Sequence, residues 1–199
     1  MERLDGAKLR DALTGCTIGR EIIVLEETTS TNDSILHRAA TTAEGLVVFA
    51  ERQTLGRGQR NNRWESAADK GLWLSILLRP LISIAESPRL TAWAASVVSD
   101  VITKEFSLTA TVKPPNDVYV DQKKVAGVLV EMRAQENAPY IAILGIGINV
   151  NQGAEDFSED LRFRASSLAM LLGQQVDRHR LAIALLRELD RTYLDFRGL

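Results

Sequence analysis

From residue 109 onward, short apolar segments follow one another along the chain without a helical pattern between them. Segments of strand length lie at residues 118–120, 125–131 and 140–144, separated by turns at Asp121-Gln122 and around Glu136-Asn137. Strands joined by such short turns pair as antiparallel hairpins, whereas a doubly wound parallel fold needs a helix after each strand. The sequence therefore predicts an α+β fold with a mixed, largely antiparallel sheet and helices packed against it.

The remaining segments supply further strands and the helices that cover the sheet. Ser30 and Thr31 are residue types that begin helices, and a short helix is predicted after them. A longer helix begins at Ser87-Pro88, because apolar residues recur at helical spacing as far as Ile102. Further strands are predicted at residues 21–25, 46–50 and 72–78, and further helices at residues 167–172 and 178–196.

The composition is ordinary for one globular domain. The chain has 199 residues, 45% hydrophobic and 25% charged, so residues 1–199 are expected to form a single domain. The formal net charge of -2 makes neither nucleic acid nor an anionic membrane an expected partner. No apolar run is long enough to span a membrane, and no signal-peptide pattern is present. Because Cys16 is the only cysteine, no disulfide forms within the chain, and the cytoplasm is the expected compartment.

The segment at residues 51–70 combines positive charge with glycine. It contains Arg57, Arg60 and Arg63 but few apolar residues, which indicates an exposed and mobile loop. Glycines flank Arg57, so the backbone can approach a ligand closely, and a guanidinium group binds carboxylate or phosphate in a bidentate fork. Trp64 offers a flat apolar surface to a heterocycle. A solvated basic loop has the same pattern, so spacing alone leaves both interpretations open.

Two further segments place lysines beside turns. Lys113 precedes two prolines and Asn116-Asp117, and the prolines hold an extended turn that presents these polar side chains. Lys124 stands at the start of a strand of small residues, where its ammonium group can point into a pocket. A plain proline turn and a solvated hairpin lysine remain the alternatives.

The segment at residues 145–149, Gly-Ile-Gly-Ile-Asn, partly resembles a dinucleotide-binding motif, but no third glycine and no helical pattern follow it. A strand whose glycines permit close backbone contact is the better interpretation. The chain has no phosphate-binding loop that ends in Gly-Lys-Ser/Thr. Its two histidines, His37 and His179, lie in helical, charged surroundings, so no zinc site, no Ser-His-Asp triad and no protein-held metal are predicted.

Taken in order, these segments resemble the biotin–protein ligase family over roughly residues 20–199. The order and spacing of the motifs make the resemblance specific. The motifs are Ser30-Thr31-Asn32; Gln53-Thr54, Gly56-Arg57-Gly58 and Arg63-Trp64; Gly71-Leu72-Trp73-Leu74-Ser75; Lys113 with Pro115-Asn116-Asp117; Lys124-Val125-Ala126-Gly127 with Leu129-Val130-Glu131; and the glycine segment at residues 145–149. The family's fold, a mixed sheet with flanking helices related to class II aminoacyl-tRNA synthetases and lipoate ligases, agrees with the predicted hairpins.

The resemblance implies an enzyme that uses ATP and Mg²⁺ to convert biotin into biotinyl-AMP. The biotinyl group would then pass to a lysine of a biotin carboxyl carrier protein. The resemblance implies no nucleic-acid or membrane partner, and it is compatible with a homodimer.

It also implies roles for individual residues. Arg57, Lys113 and Lys124 would supply positive charge in catalysis, and Asp117 would lie near the incoming carrier lysine. The biotin-binding residues would be Ser30, Thr31, Asn32, Gln53, Gly56, Arg57, Lys124 and Gly127, and the nucleotide-binding residues Arg60, Arg63, Trp64 and Asn149.

Two positions depart from the family pattern, which usually has Trp at the place of Pro114 and often Arg at the place of Gln59. Pro114 puts in question the packing around Lys113, and Gln59 puts in question one phosphate contact. Many family members carry an N-terminal DNA-binding domain or a small C-terminal β-barrel, and neither is expected within residues 1–199. A lipoate or octanoate ligase of the same superfold, a biotin or nucleotide sensor without transfer activity, and a nucleic-acid module that uses the basic loop remain as alternatives.

Overall fold

A computed structural model describes the backbone of residues 2–59, 62–135 and 138–197. Within these residues seven strands form one sheet in the order β1-β2-β3-β7-β6-β5-β4. β1 and β2 pair in parallel, and every other neighbouring pair is antiparallel. The predicted mixed, largely antiparallel sheet is therefore confirmed. The strands are β1 Glu21–Thr28, β2 Leu46–Gln53, β3 Leu72–Leu78, β4 Ala110–Lys113, β5 Asp117–Val120, β6 Lys123–Gln135 and β7 Ala138–Ile148.

Six α-helices in the described residues cover this sheet. The longer predicted helices are confirmed, including the start of α3 at Ser87-Pro88, where proline occupies the first turn. α5 ends at Gly173, whose φ of 68° is the left-handed conformation that closes a helix. The helices are α1 Gly6–Ala12, α2 Thr31–Leu36, α3 Ser87–Phe106, α4 Glu159–Arg162, α5 Leu168–Leu172 and α6 Arg178–Arg197. None of the helices described is long and apolar enough to cross a membrane.

The two faces of the sheet carry different layers. The main hydrophobic core joins one face to α1, α3 and α6 through residues such as Leu9, Val98 and Leu185. A smaller core on the other face packs Ile35 of α2, and Ala39 beyond its end, against apolar residues of β2, β3 and β7. α2 is short and leaves the neighbouring part of this second face uncovered by helices, and polar residues of the site lie there.

Several sequence expectations need correction at their boundaries. The segment at residues 51–70 is not a loop from its start, because Glu51 is buried and completes β2 together with the next two residues. α1 was not predicted, since Leu9 is its one buried residue and seven residues contain too little periodicity to detect. The hairpin turn at Asp121-Gln122 is confirmed, with φ of 49° and 63° as a two-residue turn between twisted strands requires. The turn predicted around Glu136-Asn137 lies outside the described residues.

Glu188 joins two helices of the main layer. Its carboxylate on α6 accepts hydrogen bonds from Arg191 at 2.8 Å and 3.0 Å and from Lys104 of α3 at 3.2 Å. Hydrogen bonding by Arg191, supported by Lys104, lowers the pKa of Glu188 from 4.5 to about 2. Because the folded state favours the ionised carboxylate, these contacts stabilise the fold at neutral pH.

We expect this stabilisation to disappear as the pH falls from 4.5 towards 2, since the carboxylate of the unfolded chain is protonated first. Both cationic partners are exposed, so the expected contribution at pH 7 is about 1 kcal/mol. The free energy of unfolding of Glu188→Gln, measured by denaturant titration, should fall below that of the native chain at pH 7 and match it near pH 2. An equal difference at both pH values would contradict the assignment.

Candidate active site

A cavity of about 320 Å³ opens on the face of the sheet that α2 partly covers. Its walls come from the start of α2, the end of β2 with the loop that follows, the Pro-Pro turn before β5, and the middle of β6 and β7. This volume lies in the range of small-molecule sites in proteins. Almost all of the motifs singled out in the sequence meet here, although they are separated by up to about a hundred residues in the chain.

Two glycines of β7 form the floor of the cavity. A Cβ atom at Gly145 would lie 2.5 Å from Oδ1 of Asn32, and one at Gly147 would lie 2.5 Å from the indole ring of Trp64. The glycines therefore let Asn32 and Trp64 lie directly on the sheet, which confirms the predicted strand with close contacts. Positions two residues apart on a strand face the same side at about 7 Å. Asn32 and Trp64 thus occupy adjacent places along the floor.

At the Gly145 end, uncharged polar groups form a connected network. Oγ of Ser75 lies 2.5 Å from Oδ1 of Asn32 and 2.7 Å from Oγ1 of Thr31. An amide oxygen cannot donate, so Ser75 must donate its single proton to Asn32. The hydroxyl of Thr31 has one proton and two acceptors in reach, Oγ of Ser75 at 2.7 Å and Oε1 of Gln53 at 3.1 Å. Oε1 of Gln53 accepts from the backbone N–H of Thr31 at 2.8 Å. The network presents a defined set of donors and acceptors without a net charge.

At the Gly147 end, the side chains are cationic and aromatic. Nζ of Lys124 lies 2.6 Å from the carboxylate of Asp117 and 5.1 Å from the ring centroid of Trp64. Lys113 also lines the cavity and lies over the ring of Tyr119, with its Nζ 5.1 Å from the centroid. The buried indole N–H of Trp64 has no hydrogen-bond partner among the described residues. This end of the cavity suits an anionic group beside a flat ring.

Arg57 reaches over the cavity from the loop. Its guanidinium group pairs with Asp33 of α2 at 2.8 Å and with Glu131 of β6 at 3.1 Å. The loop itself is partly ordered by its own backbone, because Arg57 and Arg63 form an antiparallel bridge. Arg57 and Arg63 are both exposed, as expected for this loop, and its predicted mobility stays a prediction.

The predicted site residues divide into three groups. Those that line the cavity are Ser30, Thr31, Asn32, Gln53, Arg57, Arg63, Trp64, Lys113, Asp117, Lys124 and Gly127, together with the two departures from the family pattern, Gln59 and Pro114. Gly56 and Asn149 are not among the lining residues, and Arg60 lies outside the described residues.

The two residues behind the lining have structural contacts of their own. Gly56 lies against the loop backbone, where its carbonyl accepts from the N–H of Trp64 at 2.9 Å. Asn149 is buried at the end of β7, donates to the carbonyl of Ser166 at 3.1 Å and accepts from Gln152 at 3.2 Å. Their predicted roles in biotin and nucleotide binding stay predictions.

Comparison with known proteins identifies the family. The sequence model of the biotin/lipoate A/B protein ligase family matches residues 23–149, which is more than half of the chain. The chain belongs to this family. The resemblance inferred from the motifs is thereby confirmed, and the sheet with its flanking helices is the family's fold.

Named members of the biotin/lipoate A/B protein ligase family are similar over almost the whole chain. The bifunctional ligase/repressor BirA of Bacillus spizizenii is 34% identical over 98% of this chain, which spans 60% of that protein. The biotin–[acetyl-CoA-carboxylase] ligase of Mycobacterium tuberculosis is 36% identical over 98% of the chain and 73% of that protein. The solved structure of the Aquifex aeolicus biotin protein ligase in complex with biotin and ATP superposes with a TM-score of 0.76 at 31% identity, over 90% of this chain and 72% of that one.

Three residues of this ligase-family site were not among the predicted ones. Asp33 and Glu131 hold Arg57, and Ser75 joins Thr31 to Asn32. Ser75 is the polar residue in an otherwise apolar β3, and Glu131 stands in an apolar stretch of β6. A polar side chain inside a buried strand was the signal available in the sequence.

Proposed function

We propose that the protein activates biotin with ATP as biotinyl-AMP and transfers the biotinyl group to a lysine of a biotin carboxyl carrier protein. One observation carries the proposal: an uncharged hydrogen-bonding network and a cationic end lie side by side in one cavity. The ureido group of biotin carries both donors and acceptors without charge, and its valeryl chain ends in a carboxylate. A ligand with these two ends matches the two ends of the cavity.

The relatives support the same function. The mycobacterial relative is named as a biotin–[acetyl-CoA-carboxylase] ligase, and the Aquifex structure is a complex with biotin and ATP. This chain spans only 60% of the Bacillus relatives, so the activity of the whole protein, its carrier and its substrates are part of the proposal. Cytoplasmic location and homodimer formation likewise stay predictions.

In the first step the biotin carboxylate attacks the α-phosphorus of ATP. A carbonyl–O–P bond forms, the bond between the α- and β-phosphates breaks, and pyrophosphate leaves. Carboxylate and phosphates repel each other, so the step needs fixed positive charge at the place where they meet. Arg57, Lys113 and Lys124 provide it, and Lys124 would exchange its bond to Asp117 for one to the acyl phosphate.

Mg²⁺ fits this site as a partner of the nucleotide. No group of three potential metal ligands occurs among the described residues. The carboxylates of Asp33, Asp117 and Glu131 are paired with arginine or lysine. Mg²⁺ is commonly held by substrate phosphates, water and one or two carboxylates. When bound, it would neutralise phosphate charge, and Asp117 would be the available protein ligand once Lys124 has turned to the substrate.

In the second step the carrier lysine attacks the carbonyl carbon of biotinyl-AMP. An amide bond forms, the bond between the carbonyl carbon and the phosphate oxygen breaks, and AMP leaves with that oxygen as an anion. The attacking amine must first lose a proton, because a lysine ammonium group is not a nucleophile at neutral pH. Asp117 at the cavity wall would accept that proton after Lys124 has moved to the phosphate.

The alternatives make different demands on the cavity. A lipoyl or octanoyl group has an apolar tail end, which would leave the buried network of Thr31, Asn32 and Ser75 without ligand hydrogen bonds. A sensor without transfer activity would bind the same ligands but would not modify a carrier. A nucleic-acid module is disfavoured by the net charge of -2.

We expect exchange of labelled pyrophosphate into ATP to require biotin and Mg²⁺ and to be absent with lipoate. The assay tests substrate, nucleotide and reaction type together, because exchange occurs only if the acyl-adenylate forms reversibly. Equal exchange with lipoate would move the protein to the lipoate branch of the family. A single-turnover transfer from biotinyl-AMP to a carrier domain then separates the ligase from a sensor, which would release the adenylate unchanged.

A further inference from the structure

Glu131 bonds residues of two different elements, α2 and the loop after β2, through a single oxygen atom. Its Oε2 accepts a hydrogen bond from Nδ2 of Asn32 at 2.6 Å and one from Nη2 of Arg57 at 3.1 Å. A carboxylate oxygen has two lone pairs and accepts both bonds at once. The side chain is 22% exposed, so water competes only weakly for these contacts. Glu131 thus connects the uncharged network with the arginine of the loop.

The bond to Glu131 decides which way the amide of Asn32 points. A carboxylate accepts and cannot donate, so the nitrogen of the amide must face Glu131 and the oxygen must face Ser75. The 2.5 Å contact from Ser75 to Oδ1 of Asn32 requires this orientation. The orientation in turn directs the proton of Ser75 to Asn32. The donor and acceptor pattern at this end of the cavity therefore depends on Glu131.

The same oxygen holds the guanidinium group of Arg57 in place. Glu131 and Asp33 bind two different nitrogens of the group, so its plane is set from two sides. A guanidinium group has five N–H bonds, and those not used here remain for an anionic ligand. Asp33 contacts Arg57 without any hydrogen bond to the amide of Asn32, so the two carboxylates differ in what they control.

We propose that Glu131 is a positioning residue for both the uncharged network and the arginine of the loop. Through Asn32 it sets the hydrogen-bonding pattern for the uncharged ring of the substrate, and through Arg57 it sets the contact with the carboxylate and phosphate. Asp33 positions Arg57 alone. This inference rests on the proposed function, since it assigns Asn32 and Arg57 to two parts of biotin.

The test measures binding of biotin and of biotinamide, which lacks the carboxylate charge, by titration calorimetry. Glu131→Gln is expected to weaken both ligands, and biotinamide about tenfold, because the amide of Asn32 loses its acceptor-only partner and the ring loses about one hydrogen bond. Asp33→Asn is the matched control, since it also removes one carboxylate from Arg57. It should leave biotinamide affinity within about twofold, while it weakens binding of biotin and lowers the rate of biotin-dependent pyrophosphate exchange.

The paired variant Asn32→Asp with Glu131→Gln reverses the direction of the hydrogen bond. The new amide can donate to the new carboxylate, whose second oxygen still accepts from Ser75, so biotinamide affinity should return to within about threefold of the native value. If Glu131 only stabilised the fold, the paired variant would not recover biotinamide affinity. Unchanged biotinamide affinity in Glu131→Gln, or an equal loss in Asp33→Asn, would overturn the proposal. Failure of the native chain to bind biotin at all would instead overturn the proposed function.

Discussion

Lys124→Ala is expected to reduce biotin-dependent pyrophosphate exchange by at least about 100-fold while the protein stays folded. The side chain is the cation nearest to Trp64 and Asp117 in the cavity, and it is proposed to hold the developing acyl phosphate. Removing one preorganised electrostatic contact to a developing anion costs about 3–4 kcal/mol in comparable sites. The loss should appear mainly in the maximal rate, since the contact strengthens as charge develops.

Lys123→Ala provides the control for Lys124→Ala. Lys123 is the preceding residue on β6 and is not among the residues that line the cavity, so the same change of charge there should leave exchange within about twofold. Thermal unfolding of both variants should be close to that of the native chain, because Lys124 is partly exposed. Near-normal exchange by Lys124→Ala would show that its assigned role is wrong.

Arg178→Ala is expected to destabilise the fold by about 3–5 kcal/mol. The guanidinium group of Arg178 pairs with Glu51 at 2.5 Å, and both side chains are 3% exposed. It also donates to the carbonyls of Gly71 and Glu2, while Glu51 accepts from the backbone N–H of Leu4. Truncation leaves a buried carboxylate without its counter-charge and two carbonyls without a donor. The pair thus joins the N-terminal segment, β2 and α6.

Denaturant titration measures this loss, with Arg180→Ala as the control. Arg180 pairs with Glu105 at 3.0 Å but its side chain is 70% exposed, so its truncation should cost less than about 1 kcal/mol. Replacing both members, Glu51→Met with Arg178→Met, removes the unpaired charge and should recover most of the stability. A cost below 1 kcal/mol for Arg178→Ala would mean that water or another cation compensates Glu51.

Local patterns in the sequence were sufficient for most of the elements. Short apolar segments and turns predicted the hairpins, and the turn at Asp121-Gln122 has positive φ at both residues, as two-residue hairpin turns do. Helical spacing located α3 and α6, because each buries a continuous apolar stripe in the main core. The strand predicted at residues 145–149 is part of β7, and Gly145 and Gly147 are tolerated there because other side chains pack on them.

In the candidate site, too, the residues could be identified from the sequence but the contacts between distant residues could not. Arg57, Trp64, Lys113 and Lys124 were singled out for the charge or ring that each side chain carries. The resemblance implied their roles, and the structure brings all four to one cavity. The hydrogen-bond partners of these side chains were not predicted, because a hydrogen bond between residues far apart in the chain does not affect the local spacing of residue types.

The sequence by itself determined most of the strands and helices, the residue types available for chemistry and, through the order of its motifs, the family. Tertiary structure alone decided the pairing of these groups. Glu131 lies 99 residues from Asn32 and 74 from Arg57 along the chain, yet one oxygen atom binds both. Such a contact depends on the register of β6 against β7 and on the position of α2 above them. Register and packing are properties of the whole sheet, because a shift by one residue turns every side chain to the opposite face.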